Sequence, residues 1–151
     1  MKLTPRKINA FNIFKLPVVF LTGVHVKTIS NEACTVTVKH KWINQNPFKS
    51  MFWAVQGMAA ELTTGALVID KIQQSGKNIS MLLLNNNASF TKKATGRITF
   101  TCQQGLDIDN TIAKAIETGE GQTIWLNSRG VNSEGIQVSE FNFEWTLKVK
   151  S

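Results

Sequence analysis

Three features of the sequence predict an α+β fold built around one long central helix. Within the stretch Asn46 to Ile72, a helix is predicted from Met51 to Ile69, where the apolar residues Phe52, Val55, Ala59, Leu62, Ala66 and Ile69 recur at steps of three and four, the spacing that stacks side chains on one helical face. The flanking segments instead alternate apolar or β-branched residues with polar ones, the two-residue period of a strand with one buried face. The elements follow the order helix, two strands, long helix, two strands, helix, two strands. A curved antiparallel sheet of five to six strands wrapped around the long helix is one of several α+β arrangements that fit this order.

Taken in order, Thr4-Pro5 can cap and start a helix, and Ile8, Phe11, Ile13, Phe14 and Leu16 give it an apolar face up to a break at Pro17. Residues 1–22 are therefore predicted as an N-terminal helical extension. VHVKTIS and ACTVTVKHKW form the first strand pair, and INQNPF the loop into the long helix, where Pro47 ends strand pairing. After the turn at Ser75 to Asn78, ISMLLLNNNASF and RITFTCQ supply two strands. A short helix is predicted near 106–118, ended by Gly119. QTIWLNSRGV and IQVSEFNFEWTLKVK complete the sheet, separated by a turn at Asn132 to Gly135.

The 151 residues suit a single domain spanning 1–151. Apolar content of 42% with 18% charged residues describes a globular chain. No run is long enough to cross a bilayer, and Lys15 and Pro17 interrupt the apolar patch Leu16 to Leu21, so a cytoplasmic location is expected. The two cysteines, Cys34 and Cys102, lie in strand-like runs without metal-ligand spacing. They are expected as buried free thiols, with no metal site.

The net charge of +7 permits nucleic acid, an anionic membrane surface or small phosphorylated ligands as partners. The basic residues are scattered and no docking element accompanies them, so specific nucleic-acid recognition is not expected. His25 and His40 have no Ser or Cys at a nucleophile spacing and are read as packing or surface. Trp42, Trp53, Trp125 and Trp145 are read as core or interface. Counted at about 100° per residue from Glu61, the neighbouring helix positions are Ser50, Ala54, Gly57, Met58, Gly65 and Val68. This mostly small face could admit another molecule's backbone.

Asn46, Phe52-Trp53-Ala54, Glu61 and Gly65 carry a resemblance to the hotdog superfamily, specifically its phenylacetic-acid-degradation-type thioesterases. In those proteins an Asn is followed six residues later by His-Gly-Gly, then by an acidic residue nine positions after the His and a Gly four further on. Phe90 to Gly96, FTKKATG, resembles the family's aromatic, basic and glycine connection. More narrowly, NPFKSMFWAVQGMAAELTTG, ITFTCQQG and VSEFNFEWTLK resemble a domain-of-unknown-function branch of that superfamily.

The resemblance implies a hotdog fold and hydrolysis of an acyl-CoA or related thioester. It implies Glu61 as base or nucleophile, with Asn46 either in the catalytic set or serving as the turn and cap residue that Asn before Pro commonly is. The backbone N–H groups of Trp53 and Ala54 are the implied oxyanion donors. Gln56, Lys92, Lys93 and Arg97 are the implied ligand contacts, the cations facing the phosphates of coenzyme A, which enters as part of the substrate and not as a cofactor. Phe-Trp-Ala departs from His-Gly-Gly and places a bulky indole where a glycine admits substrate. A non-catalytic acyl-chain or acyl-CoA binding module is the alternative. A homodimer or dimer of dimers is expected, with the site between subunits.

Overall fold

The computed structural model describes residues 2–151. Helix α1 (Pro5–Lys15) starts as expected, with Thr4 accepting from Lys7 N at 3.3 Å and Pro5 at the first helical position. Pro17 does not end the helical region; it begins a second short helix, α2 (Pro17–Leu21). Its missing N–H costs nothing at a helix start.

Strands β1 (His25–Ile29) and β2 (Cys34–Lys39) pair antiparallel, and a short 3-10 turn at Trp42–Asn44 follows. The long helix α3 runs Trp53–Ser75, starting two residues later and ending six residues beyond the expected 51–69. Gly76, at φ 67°, closes it in the left-handed conformation that lacks a steric penalty only for glycine. Strands β3 (Ile79–Phe90) and β4 (Arg97–Cys102), helix α4 (Gly105–Thr118), and strands β5 (Gln122–Val131) and β6 (Gln137–Val149) complete the chain.

All six strands form one antiparallel sheet in the order β1-β2-β4-β5-β6-β3. Its concave face wraps α3, with Val36, Val38, Ile98, Phe100, Leu126 and Leu147 fully buried beneath the helix. Three buried polar residues of α3 have partners on the sheet. The Thr63 and Ser128 hydroxyls are 2.9 Å apart, Ser139 Oγ donates to Gln56 Oε1 at 2.7 Å, and Trp145 Nε1 donates to Thr64 Oγ1 at 3.0 Å. A buried hydroxyl or amide left unpaired would cost about 1–3 kcal/mol, so these pairs favour one rotation of α3 over others.

Four of the six residues of the expected helix stripe are buried. Val55, Ala59, Leu62 and Ala66 are buried, whereas Phe52, which precedes the first helical residue, and Ile69 are exposed. The small residues near Glu61 face the chain's own sheet. A Cβ on Gly57 would lie 3.4 Å from the Phe141 ring, and one on Gly65 would lie 3.6 Å from Trp145. Small side chains thus let α3 settle onto the aromatic rings of β6. Of the four tryptophans only Trp145 is core; Trp42, Trp53 and Trp125 are exposed.

Candidate active site

The loop before α3 is organised by Asn46. Its Oδ1 accepts from Phe48 N at 2.9 Å and Ser50 N at 3.2 Å, while Nδ2 donates to Ser50 Oγ at 3.0 Å and Met51 O at 3.4 Å. Both ends of the amide are engaged in shaping the 46–51 loop, the work of an Asx turn. Met51 N and Phe52 N are in turn bound to Ala94 O and Asn44 O at 2.8 Å each. The N–H groups of Trp53 and Ala54 open the helix, where no intrahelical acceptor exists. No acceptor for either is found among the described residues.

A cavity of about 450 Å³ at this helix start brings together Asn46, Phe52, Trp53, Gln56, Lys92 and Lys93. Gln56 is buried, its Oε1 held by Ser139. Lys93 Nζ donates to Phe48 O at 3.2 Å. Five expected site residues, two of them the cations Lys92 and Lys93, therefore share one concave surface at the start of the helix, a surface suited to anionic groups.

Glu61 lies elsewhere on α3. It is partly buried in a separate, mostly apolar cavity of about 420 Å³ between α1 and α3, walled by Ile8, Phe11, Leu62, Ile69, Met81 and Trp145, with Lys7, Asn12 and Gln73 as its other polar lining residues. Burial raises its carboxyl above the ordinary carboxylate value of 4.5. Among the described residues, no hydrogen bond or ion pair engages the carboxylate; the one ion pair found joins Lys71 to Asp109 at 2.7 Å. The backbone carbonyl of Glu61 accepts from Thr64 Oγ1 at 2.9 Å, and Thr64 Oγ1 also accepts the Trp145 indole.

Eight residues separate Trp53 from Glu61, about 12 Å along the helix axis at 1.5 Å per residue. Within one chain Glu61 and Trp53 line different cavities, and Ala54 lines neither. Arg97 is separate from both. With Arg6, His25, Lys39 and Lys41 it lines a cleft of about 640 Å³ under α1 and α2. Among the described residues no group of three or more His, Cys, Asp and Glu is placed to hold a metal ion, and no helix is long and apolar enough to cross a membrane.

Sequence reasoning missed that the N-terminal helix forms one wall of the Glu61 cavity. Ile8, Phe11, Asn12 and Leu16 follow the helical three-and-four spacing, a signal that marks a shared face without naming what it covers. Asn12 is buried, and its amide nitrogen has no hydrogen-bond partner among the described residues.

A six-stranded antiparallel sheet curled around one long helix makes this a hotdog-fold protein. Within that class, the chain belongs to the DUF4442 family, a domain of unknown function matched over residues 5–147. It is similar to a protein of unknown function from Pseudomonas aeruginosa described as a probable thioesterase, with TM-score 0.87, 18% identity and 99% of each chain covered. A protein of unknown function from Chlorobaculum tepidum TLS is similar at TM-score 0.83 and 18% identity, again over 99% of each chain. A thioesterase from Haemophilus influenzae is similar at TM-score 0.73 and 12% identity, over 99% of this chain and 93% of that one. At these identities the likeness shows the fold. No curated protein sequence matches the chain.

Proposed function

We propose that this protein hydrolyses an acyl thioester, with acyl-CoA as the substrate class and Glu61 as general base. The observation that carries the reading is a carboxylate, raised by burial and without a hydrogen bond or ion pair among the described residues, inside a mostly apolar cavity of about 420 Å³ whose one cation is Lys7. That volume falls in the range of small-molecule sites, about 300–1,000 Å³, and the apolar walls suit an acyl chain. Ionised Glu61 takes a proton from water, whose oxygen bonds to the thioester carbonyl carbon. The oxyanion is held by backbone N–H groups at a helix start, and collapse breaks the C–S bond with the proton returned to the thiolate. Direct attack by Glu61 is the nucleophilic variant of the same reading.

One carbonyl cannot reach both Glu61 and the Trp53 and Ala54 N–H groups about 10–12 Å away along the same helix. A second copy resolves this by lending its helix start to the first copy's carboxylate. The long edge strand β3, with Leu82 and Leu84 exposed, is a ready surface for such pairing, because an uncovered edge offers a row of unpaired backbone groups. In the homodimer, or a dimer of dimers, Asn46 holds the loop, and Gln56, Lys92 and Lys93 contact the coenzyme A portion. The protein works in the cytoplasm, where its two buried free cysteines stay reduced.

The reading is tested by thiol release from short, medium and long acyl-CoA substrates, with wild type beside Glu61→Gln. Turnover lost in the variant is the expected result; no turnover in wild type on any chain length overturns it. Exposed Trp53, standing where similar enzymes carry a glycine, favours the second reading, an acyl-CoA binder without turnover. Tight binding of acyl-CoA by both proteins without thiol release would establish that one instead.

A further inference from the structure

We propose that the corner formed by α1, α2 and the Trp42–Asn44 turn docks onto an anionic lipid bilayer, its basic cleft receiving the phosphate headgroups. The surface is apolar where a folded domain is ordinarily polar. Phe14 is 82% exposed, Leu21 61% and Trp42 83%, and Val18 and Ile43 stand out beside them. Asn44 fixes the turn that carries Trp42 and Ile43, its Nδ2 donating to Thr22 O at 3.0 Å and to Lys39 O at 2.9 Å. The turn bearing Trp42 is thereby tied to the end of α2. Contiguous exposed apolar residues mark interaction surfaces, and an exposed indole with an N–H to hydrate suits the boundary between acyl chains and headgroups.

The second observation is the charge beside that patch. Arg6, Lys39, Lys41, Arg97 and His25 line one cleft of about 640 Å³, with Ile13 and Phe20 as its apolar wall and no carboxylate among its lining residues. The wall is built rather than incidental. Arg97 Nη1 donates to Thr37 Oγ1 at 3.4 Å, the buried Thr37 hydroxyl lies 3.0 Å from His25 Nε2, and His25 Nδ1 lies 3.2 Å from Gly23 O. A proton on Nδ1 gives the chain consistent donors and acceptors, with Thr37 donating to Nε2 and accepting from Arg97.

Charge complementarity selects the occupant. A second copy of this chain, docked through the same face about a two-fold axis, would bring like cations together. A small soluble phosphate compound would use the cations and leave Phe14, Leu21 and Trp42 in water. An anionic bilayer satisfies both halves, since phosphates meet the cleft and the apolar tips enter the headgroup boundary.

The test is co-sedimentation of the full chain with phosphatidylcholine vesicles and with vesicles containing phosphatidylglycerol, at low and high salt. Binding to the anionic vesicles that weakens with salt is expected, with little binding to phosphatidylcholine alone. Each cation near such a surface is worth about fivefold in binding, so the pair Arg6→Glu and Lys41→Glu should weaken it about 25-fold or more. Trp42→Ser with Leu21→Ser should weaken it about tenfold or more, with circular dichroism reporting that the fold is kept. Absence of vesicle binding at low salt, or binding unchanged by both variant pairs, overturns the proposal. So does binding of inorganic pyrophosphate without vesicle binding, or an oligomer in sedimentation equilibrium that Trp42→Ser and Leu21→Ser dissolve.

Discussion

Trp145 on β6 and Thr64 on α3 are joined by a buried hydrogen bond, the indole N–H donating to the hydroxyl at 3.0 Å. The same hydroxyl donates to the Glu61 carbonyl at 2.9 Å, and Trp145 also walls the cavity that holds the Glu61 side chain. One side chain of the sheet thus contributes both to the rotation of the helix and to the apolar setting of its carboxylate.

Thr64→Val keeps the shape of Thr64 and removes the acceptor, leaving a buried indole N–H unpaired. The expected loss is about 1–3 kcal/mol, or several degrees in Tm for a domain of this size, since about 1 kcal/mol moves Tm by about 2–4 °C. Thermal denaturation measures it. In a Trp145→Phe background the same change should cost much less, because the partner is already gone.

Under the thioesterase reading, Glu61→Gln should lower kcat for thiol release by about 10²–10⁴-fold, the ordinary contribution of a positioned base, with KM little changed. Steady-state kinetics on one acyl-CoA substrate check this. A variant that raised KM alone would assign Glu61 to binding.

The pH dependence of activity and stability should run in opposite directions. Burial raises the Glu61 carboxyl above 4.5, so base catalysis should rise with pH through that elevated value, and the acid limb of kcat/KM should sit above the usual carboxylate range. For stability, the folded state holds this proton more tightly than the unfolded chain. Stability from this group is therefore full below the ordinary value and falls as pH rises through the elevated one. Glu61→Gln should abolish that decline, as urea denaturation at stepped pH would record.

Cys34 on β2 and Cys102 on β4 are direct cross-strand partners, and both are fully buried. Burial, the first cause for each, pushes Cys34 up to about 12 and Cys102 up to about 11. Little thiolate exists at neutral pH, so neither should react with a thiol reagent in the native protein, and both should react on unfolding. Reagent kinetics with and without denaturant give the comparison.

Gly105 starts α4 with its N–H bound to Glu32 O at 3.0 Å, and a Cβ there would overlap the Asn31 carbonyl oxygen. Backbone cannot swing aside as a long side chain can. Gly105→Ala should therefore destabilise the domain by about 1–3 kcal/mol or more, read as a lower urea midpoint with an unchanged slope.

Much of this architecture was legible along the chain. The alternation in β6 marks Phe141, Phe143, Trp145 and Leu147 as one buried face, and all four are buried. The three-and-four spacing of Val55, Ala59, Leu62 and Ala66 marks the core side of α3. Both patterns are local, because backbone geometry alone sets their periods. The candidate site was legible only as a list. Asn46, Trp53, Gln56, Lys92 and Lys93 do share a cavity, while Glu61 and Arg97 lie in two others.

The sequence by itself determined the strand and helix periods and the composition of each face, and left Asn46 open between a catalytic role and the turn role that its hydrogen bonds show. Only the tertiary structure decided that α1 closes over Glu61, that Arg97 joins Arg6 and Lys41, and that Trp42 faces outward. A period states which residues share a face, but what covers that face depends on contacts between distant segments, as when Leu3 N donates to Asp70 Oδ1 across sixty-seven positions at 3.2 Å. Desolvation arises from such contacts, which is why the raised carboxyl of Glu61 is a property of the fold.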